Sequence, residues 1–330
     1  MIDYCTYIDI PKSHLNITYK DRLMFMGSCF ADNIGSKIKD CRFNAVVNPF
    51  GVLYNPLSVA SGCRRLLKPE LYEGGDLFLY DGMYHSFMHH GKFSGTSAEG
   101  SLEKINDSLA SAAGHFRETD YLIITFGTAY LFRHKESDRV VANCHKLPAM
   151  QFERELLTVN QIVDEWMILL EDIWPENPSL KVIFTVSPIR HMKDGAHFNQ
   201  ISKATLLLAQ QTLADKYPER VSYFPAYELM LDELRDYRFY ANDMIHPSEI
   251  AIDYIWERFC ETYMDPSTKD TMKEVENIRR ALNHRPLNPS TDAYKQFLIQ
   301  TMQKIKLFQD KYPYICLSEA ETEILKGIQK

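Results

Sequence analysis

Between Arg22 and Ile38 the chain changes its hydrophobic period across a single glycine. Leu23-Met24-Phe25-Met26 is continuously apolar, as in a strand buried on both faces. Gly27-Ser28-Cys29 follows. Beyond it the apolar residues Phe30, Ile34 and Ile38 recur every four positions, which is one face of a helix. A strand, a sharp turn and a helix satisfy both periods. That geometry lifts the turn's side chains off the carboxyl end of a strand and aims the N–H groups of a helix start at whatever they attack. The turn carries two potential nucleophiles, Ser28 and Cys29.

The same alternation continues along the chain. Residues 43–47 read as a short strand broken by Asn48-Pro49-Phe50-Gly51, and a helix is expected over 56–67 because Pro56 suits a first turn. Asp81-Gly82 between two aromatic-rich runs predicts a hairpin. Residues 101–116 read as a helix, 121–126 as a fully apolar strand, and 130–133 with 139–143 as a second hairpin. A helix over 159–174 is expected to close at Pro175. Strand 181–186, a long helix over 199–216, a short strand over 221–224 and a helix over 248–263 complete the pattern. Strands alternating with helices at this spacing predict an α/β fold, a parallel sheet with helices on both faces. From about residue 266 the chain turns polar and helix-forming, interrupted by Pro286 and Pro289, and has no strand signal before Ile315. The expected organisation is a core over 1–265 and a helical extension over 266–330 packed on it.

Composition removes several function classes. A net charge of −7 without a basic block gives no support for nucleic-acid binding. No apolar run approaches the ~20 residues of a membrane helix, and Met1-Ile2-Asp3-Tyr4-Cys5 does not open like a signal peptide. Seven scattered cysteines without a CxxC pair argue against a disulfide framework and structural zinc. The expectation is a soluble, cytoplasmic protein with reduced thiols and no cofactor. His85, His89 and His90 lack metal-ligand spacing; one of them is expected near the pocket.

Sites in parallel α/β sheets form at the carboxyl ends of strands. Ser28 and Cys29, Gly51, Gly127-Thr128, Ser187-Pro188-Ile189-Arg190-His191, and the loop holding Asp243 and His246 all fall there. An Asp three residues before a His on a bent loop can orient the imidazole as a general base. Asn199 and Lys203, four apart on one helix face, and His191 form a second polar group, read either as substrate contacts or as a solvated helix start.

Gly-x-nucleophile early and Asp-x-x-His late resembles the SGNH (GDSL-type) hydrolases. More narrowly, Gly27-Ser28-Cys29-Phe30-Ala31, Asn48-Pro49-Phe50-Gly51-Val52-Leu53-Tyr54-Asn55-Pro56, Asn143-Cys144-His145-Lys146, Ser187 to His191 and Asn242-Asp243-Met244-Ile245-His246-Pro247 are similar to the GSCFA family over about residues 20–265. The resemblance implies a three-layer SGNH-like fold and an acyl-ester hydrolase or O-acyl transferase working through a covalent acyl-enzyme, with a small-molecule or carbohydrate ester as substrate. Cys29 aligns with the nucleophile, and Ser28 is the alternative if the turn shifts by one residue. Asp243 and His246 align with the acid and base. The resemblance implies oxyanion donors at the nucleophile's N–H and at Gly51. The third donor is usually an Asn, and Ala129 stands at its position. Thr128 substitutes there, or Asn143 or His145 reaches in, or the donor is missing. The rival reading is a binding module or degenerate hydrolase in which Cys29 is structural or redox-sensing.

Overall fold

The computed structural model describes residues 6–284, 286–288 and 291–316; Met1 to Cys5, Pro289 and residues 317–330 of the expected extension lie outside them. Strand β1 (Arg22–Gly27) runs through the turn into α1 (Cys29–Asp40), then β2 (Asn44–Val47) and α2 (Pro56–Leu67). The hairpin β3 (Leu77–Tyr80) and β4 (Met83–Ser86) closes on Asp81 and Gly82, both at positive φ, as an Asp-Gly hairpin turn requires. Helix α3 (Ala98–Phe116) leads to β5 (Tyr121–Phe126), and β6 (Tyr130–His134), β7 (Arg139–Val141) and β8 (Phe152–Leu156) form a separate antiparallel sheet. Then come α4 (Val159–Glu176), β9 (Lys181–Val186), α5 (Gly195–Lys216), β10 (Val221–Phe224), the single turn α6 (Ala226–Glu228) and α7 (Glu249–Tyr263). Helices α8 (Pro266–Leu282) and α9 (Asp292–Lys311) follow.

The central sheet is all parallel, in the order β10-β9-β5-β1-β2. Alternate residues of its strands feed two cores. Met24, Met26, Leu122, Ile124, Phe126 and Phe184 pack with α2, α3, α4 and α5. Leu23, Phe25, Tyr121, Ile123 and Ile183 pack with α1, α7, α8 and α9. Both faces are covered, which is why the strands read as continuous apolar runs. Leu15, Ile17 and Tyr19, ahead of β1, join the second core, and Ile17 N–H donates to Tyr263 O at 2.7 Å. No helix of the described residues is long and apolar enough to cross a membrane.

Three local expectations change. Helix α4 runs through Pro175 to Glu176, because a proline in the last turn forfeits only one helical hydrogen bond. Helices α3 and α5 begin three and four residues earlier than the apolar pattern suggests, Ser97 supplying the cap of α3. Strand β8 adds a third strand to the expected β6–β7 hairpin; its Phe-Glu-Arg-Glu-Leu sequence carries too much charge to read as a strand.

Strand order places the functional end. The connection from β1 leads outward to β2, while the chain returns past β1 to β5 on the other side. Between β1 and β5 the connections diverge, and the crevice beyond their carboxyl ends is the topological switch point where α/β proteins bind ligands. Gly27 ends β1 there with φ +134°, and a Cβ on it would lie 2.1 Å from Thr125 O of β5. Replacement by alanine is expected to cost about 3 kcal/mol or more through both strain and overlap. Urea unfolding of Gly27→Ala checks this, and a loss under about 1 kcal/mol would contradict it.

Candidate active site

The carboxyl ends of β1, β5 and β9 open onto a cavity of about 580 Å³. Ser28 and Cys29 reach it from the turn after β1, Thr128 from beyond β5, Ser187 and His191 from beyond β9, and His246 from the loop before α7. The topology thus gathers residues more than two hundred positions apart.

The turn separates its two nucleophile candidates by environment. Ser28 is extended (φ −71°, ψ 176°), buried, and caps α1 by accepting the Phe30 N–H at 3.3 Å. Capping is what serine does best at that position. Cys29 is the first helical residue and half-buried in the cavity wall, its Sγ 3.6 Å from Tyr54 Oη. The turn is held from both sides. Ser28 N–H donates to Thr125 O at 3.0 Å and Leu53 N–H to Gly27 O at 2.8 Å. Asn48 Oδ1 accepts the Gly27 N–H at 2.8 Å, and its Nδ2 donates to Asp32 Oδ1 at 2.6 Å. Gly127 and Thr128 N–H both donate to Tyr54 O, at 2.8 and 3.1 Å, so the end of β5 is fixed to the same segment.

The late pair is local and preformed. Asp243 Oδ1 accepts the N–H groups of Ile245 and His246 at 2.9 Å each, and Oδ2 meets His246 Nδ1 at 2.6 Å. The two backbone hydrogen bonds, with that of the imidazole, hold the Asp243 carboxyl down at about 2. With that carboxylate on Nδ1, the hydrogen of a neutral imidazole sits at Nδ1 and Nε2 is the basic nitrogen. His246 is half-exposed on the cavity wall.

Other expected site residues divide. Gly51 N–H donates to Asn48 O at 2.8 Å, and Gly51 packs so closely on His90 that a Cβ would sit 2.2 Å from the His90 Cβ. Its N–H is committed to a turn, and its glycine identity follows from that contact and a φ of +78°. Thr128 lines the cavity, but its hydroxyl accepts the Tyr130 N–H at 3.1 Å and shares a 3.0 Å hydrogen bond with Ser202. Asn143 also lines it, its Oδ1 accepting the His145 N–H. His145 turns away: its Nε2 pairs with Ser86 O at 2.7 Å and its ring lies against His85.

Lys203 and Asn199 are braces behind the wall and do not line the cavity. Lys203 is fully buried, its Nζ donating to Gly127 O and Ser187 O at 2.7 Å each and so joining the ends of β5 and β9. Burial pushes its ammonium down to about 7. Asn199 Oδ1 accepts the His191 N–H at 2.8 Å. His191 does line the cavity. Burial first, then the nearby cations Lys203 and Arg154, push it down to about 4, so it is neutral near pH 7. Its Nε2 is buried without a hydrogen-bond partner among the described residues. Of the three hairpin-region histidines, His90 lines the cavity. His89 is buried against Ser86, and His85 pairs with Ser94. No group of three or more metal-binding side chains converges among the described residues.

Tyr54, Tyr130, Phe132 and Arg154 also line the cavity, and no local pattern in the sequence marks them for it. Tyr54 lies in the Asn48–Pro56 stretch, yet only the fold brings its hydroxyl to Cys29. Burial and the neighbouring thiol raise its phenol well above the ordinary value, which keeps the hydroxyl protonated as a donor.

A family model described as the GSCFA family matches residues 22–259, and one described as GSCFA domain protein, C-terminal domain, matches residues 275–330. No curated protein matches the chain.

The Lys203 brace has a pH signature. Its folded value near 7 lies below the ordinary 10.5, so between these limits the unfolded chain holds more protons and stability rises with pH. Between pH 7 and 10 the unfolding free energy is expected to climb more steeply in the wild type than in Lys203→Met. Urea titrations across that range check it, and equal slopes would contradict it.

Proposed function

The chain belongs to the GSCFA family, and we propose that it takes an acyl group from an ester through a thioester on Cys29. The observation that carries this reading is one cavity, at the switch point of the sheet, lined by both a helix-starting thiol and a carboxylate-oriented imidazole. A binding module has little use for a histidine held in this way.

The chemistry follows in order. His246 Nε2 accepts the Cys29 thiol proton, and the sulfur attacks the ester carbonyl carbon, forming the C–S bond and placing negative charge on the carbonyl oxygen. Asp243 stabilises the imidazolium. Collapse breaks the ester C–O bond, and the leaving oxygen takes the proton from His246. Water, or a hydroxyl of an acceptor, then attacks the thioester with His246 again as base and regenerates the thiol. Three donors suit the oxyanion. The Cys29 N–H starts a helix and has no backbone acceptor among the described residues. The Tyr54 hydroxyl adjoins the sulfur. His191 Nε2 is unpartnered among the described residues, and a Cβ on Gly127 would lie 3.2 Å from it. In this reading Tyr54 and His191 replace the Gly51 and Asn donors that an SGNH-like scaffold implies. That scaffold is itself the reading the strand order supports. An acylated carbohydrate remains the preferred substrate, with Tyr130 and Phe132 as aromatic faces for a sugar.

One observation favours a second reading, a redox-responsive thiol. Cys144, 115 positions away in sequence, is a second free thiol lining the same cavity. Burial pushes its thiol up to about 11, which makes it a poor attacking group near neutral pH.

Turnover of p-nitrophenyl acetate separates these. Cys29→Ala is expected to lose at least about a thousandfold in kcat/KM. Ser28→Ala should remain active and lose about 1 kcal/mol of stability as a lost helix cap. His246→Ala should lose about a hundredfold or more with an unchanged Tm, since its side chain is half-exposed. Full activity in Cys29→Ala would overturn the assignment. Absence of turnover, with a Cys29–Cys144 disulfide forming on peroxide treatment, would favour the redox reading.

A further inference from the structure

The cavity wall is charged on one side only. Arg154 from β8, and Arg190 and Lys193 from the segment after β9, line it, and among the described residues no Asp or Glu does. Two carboxylates stand nearby and are already engaged: Asp194 pairs with Arg154, and Asp243 pairs with His246. Strand alternation explains how a Glu-Arg-Glu run yields a cationic wall. Arg154 lies over the rings of Tyr130 and Phe132, at 4.6 and 4.8 Å, while Glu155 turns to Arg133. Arg190 lies over Tyr240 and donates from Nη2 to Met244 O at 3.2 Å, and the Lys193 ammonium is 5.3 Å from the Phe132 ring.

These contacts fix the guanidinium planes without using all their donors. The Nε groups of Arg154 and Arg190 are buried and have no hydrogen-bond partner among the described residues. A buried guanidinium N–H without an acceptor is costly, and native proteins leave few of them. Both arginines belong to the wall of one cavity to which no described carboxylate contributes, a place where an anionic ligand would find donors. Arginine forks suit the oxygens of a carboxylate or a phosphate.

We propose that the ester bound here carries a second, anionic group, a carboxylate or a phosphate, and that Arg154, Arg190 and Lys193 hold that group while the acyl carbon lies at Cys29. The proposal rests on the acyl-transfer reading for the role of Cys29, whereas the anion subsite stands on its own geometry. The cavity of about 580 Å³ has the size of a small-molecule site and accommodates both parts.

Binding to the Cys29→Ala protein tests the subsite apart from the chemistry. Calorimetry would compare glucose, glucuronate, glucose 6-phosphate and inorganic phosphate at low ionic strength. At least one of the anions is expected to bind about tenfold or more tightly than glucose, and the arms distinguish carboxylate from phosphate. Added salt should weaken that binding. Adding Arg190→Met or the exposed Lys193→Gln should reduce the preference severalfold or more. Arg154→Met should do the same, and if it fails to fold the other two variants decide. No preference for any anion over glucose, or a preference untouched in Arg190→Met and Lys193→Gln, overturns the subsite. Anion binding together with an inert wild-type protein toward esters leaves the subsite standing and removes the acyl-transfer reading.

Discussion

The contact on which the site depends is the meeting of Gly27 with the backbone of Thr125. With no Cβ, β1 ends against β5 closely enough for Ser28 N–H to reach Thr125 O at 3.0 Å. That hydrogen bond sets the direction of the turn. The turn sets the start of α1, and the start of α1 decides that Ser28 is buried as a cap while Cys29 stays half-buried as the first helical residue, both in the cavity wall. A side chain at position 27 would separate the two strands at the point where their connections diverge. The apolar cores on either face need only a parallel sheet; the site needs this particular approach.

Around that point the protein spends backbone and buried polar groups on position. Asn48 holds Gly27 and Asp32, Tyr54 O accepts from Gly127 and Thr128, and Lys203 bridges the carbonyls of Gly127 and Ser187. Each brace ties a strand end to a neighbouring strand or loop. A lysine driven to about 7 by burial is an expensive brace, and it stands directly behind the cavity. Cys29, Tyr54, His191, Arg154 and Arg190 stand in front, in the cavity wall, and among the described residues the Cys29 N–H has no backbone acceptor and His191 Nε2 and the two arginine Nε atoms have no hydrogen-bond partner. Rigid support behind and unmet donors in front are the arrangement expected of a site that stabilises negative charge.

Much of this is legible in the sequence where a local rule governs. The period change at Gly27, the apolar strands and the Asp-Gly hairpin specify elements through short-range physics, and the Asp243–His246 spacing specifies a pair that forms within its own loop. What stays hidden depends on long-range contact. Lys203 reads as a polar residue on a helix face, and only the packing of α5 on the sheet makes it a buried brace. Gly51 matches a donor position, and only its turn with Asn48 and its contact with His90 show the N–H to be taken. Arg154 sits in a run too charged to announce a strand, so neither β8 nor the cation it places on the cavity wall is apparent beforehand.

The central claim is that Cys29 becomes acylated. Rapid acid quench of the wild-type protein after brief exposure to an activated acetyl ester, followed by peptide mass mapping, reads this directly. The account predicts one acetyl group as a thioester on Cys29, removed by neutral hydroxylamine. An acetyl group on Ser28, or no acyl group on the 22–40 segment while the ester is being consumed, would contradict it.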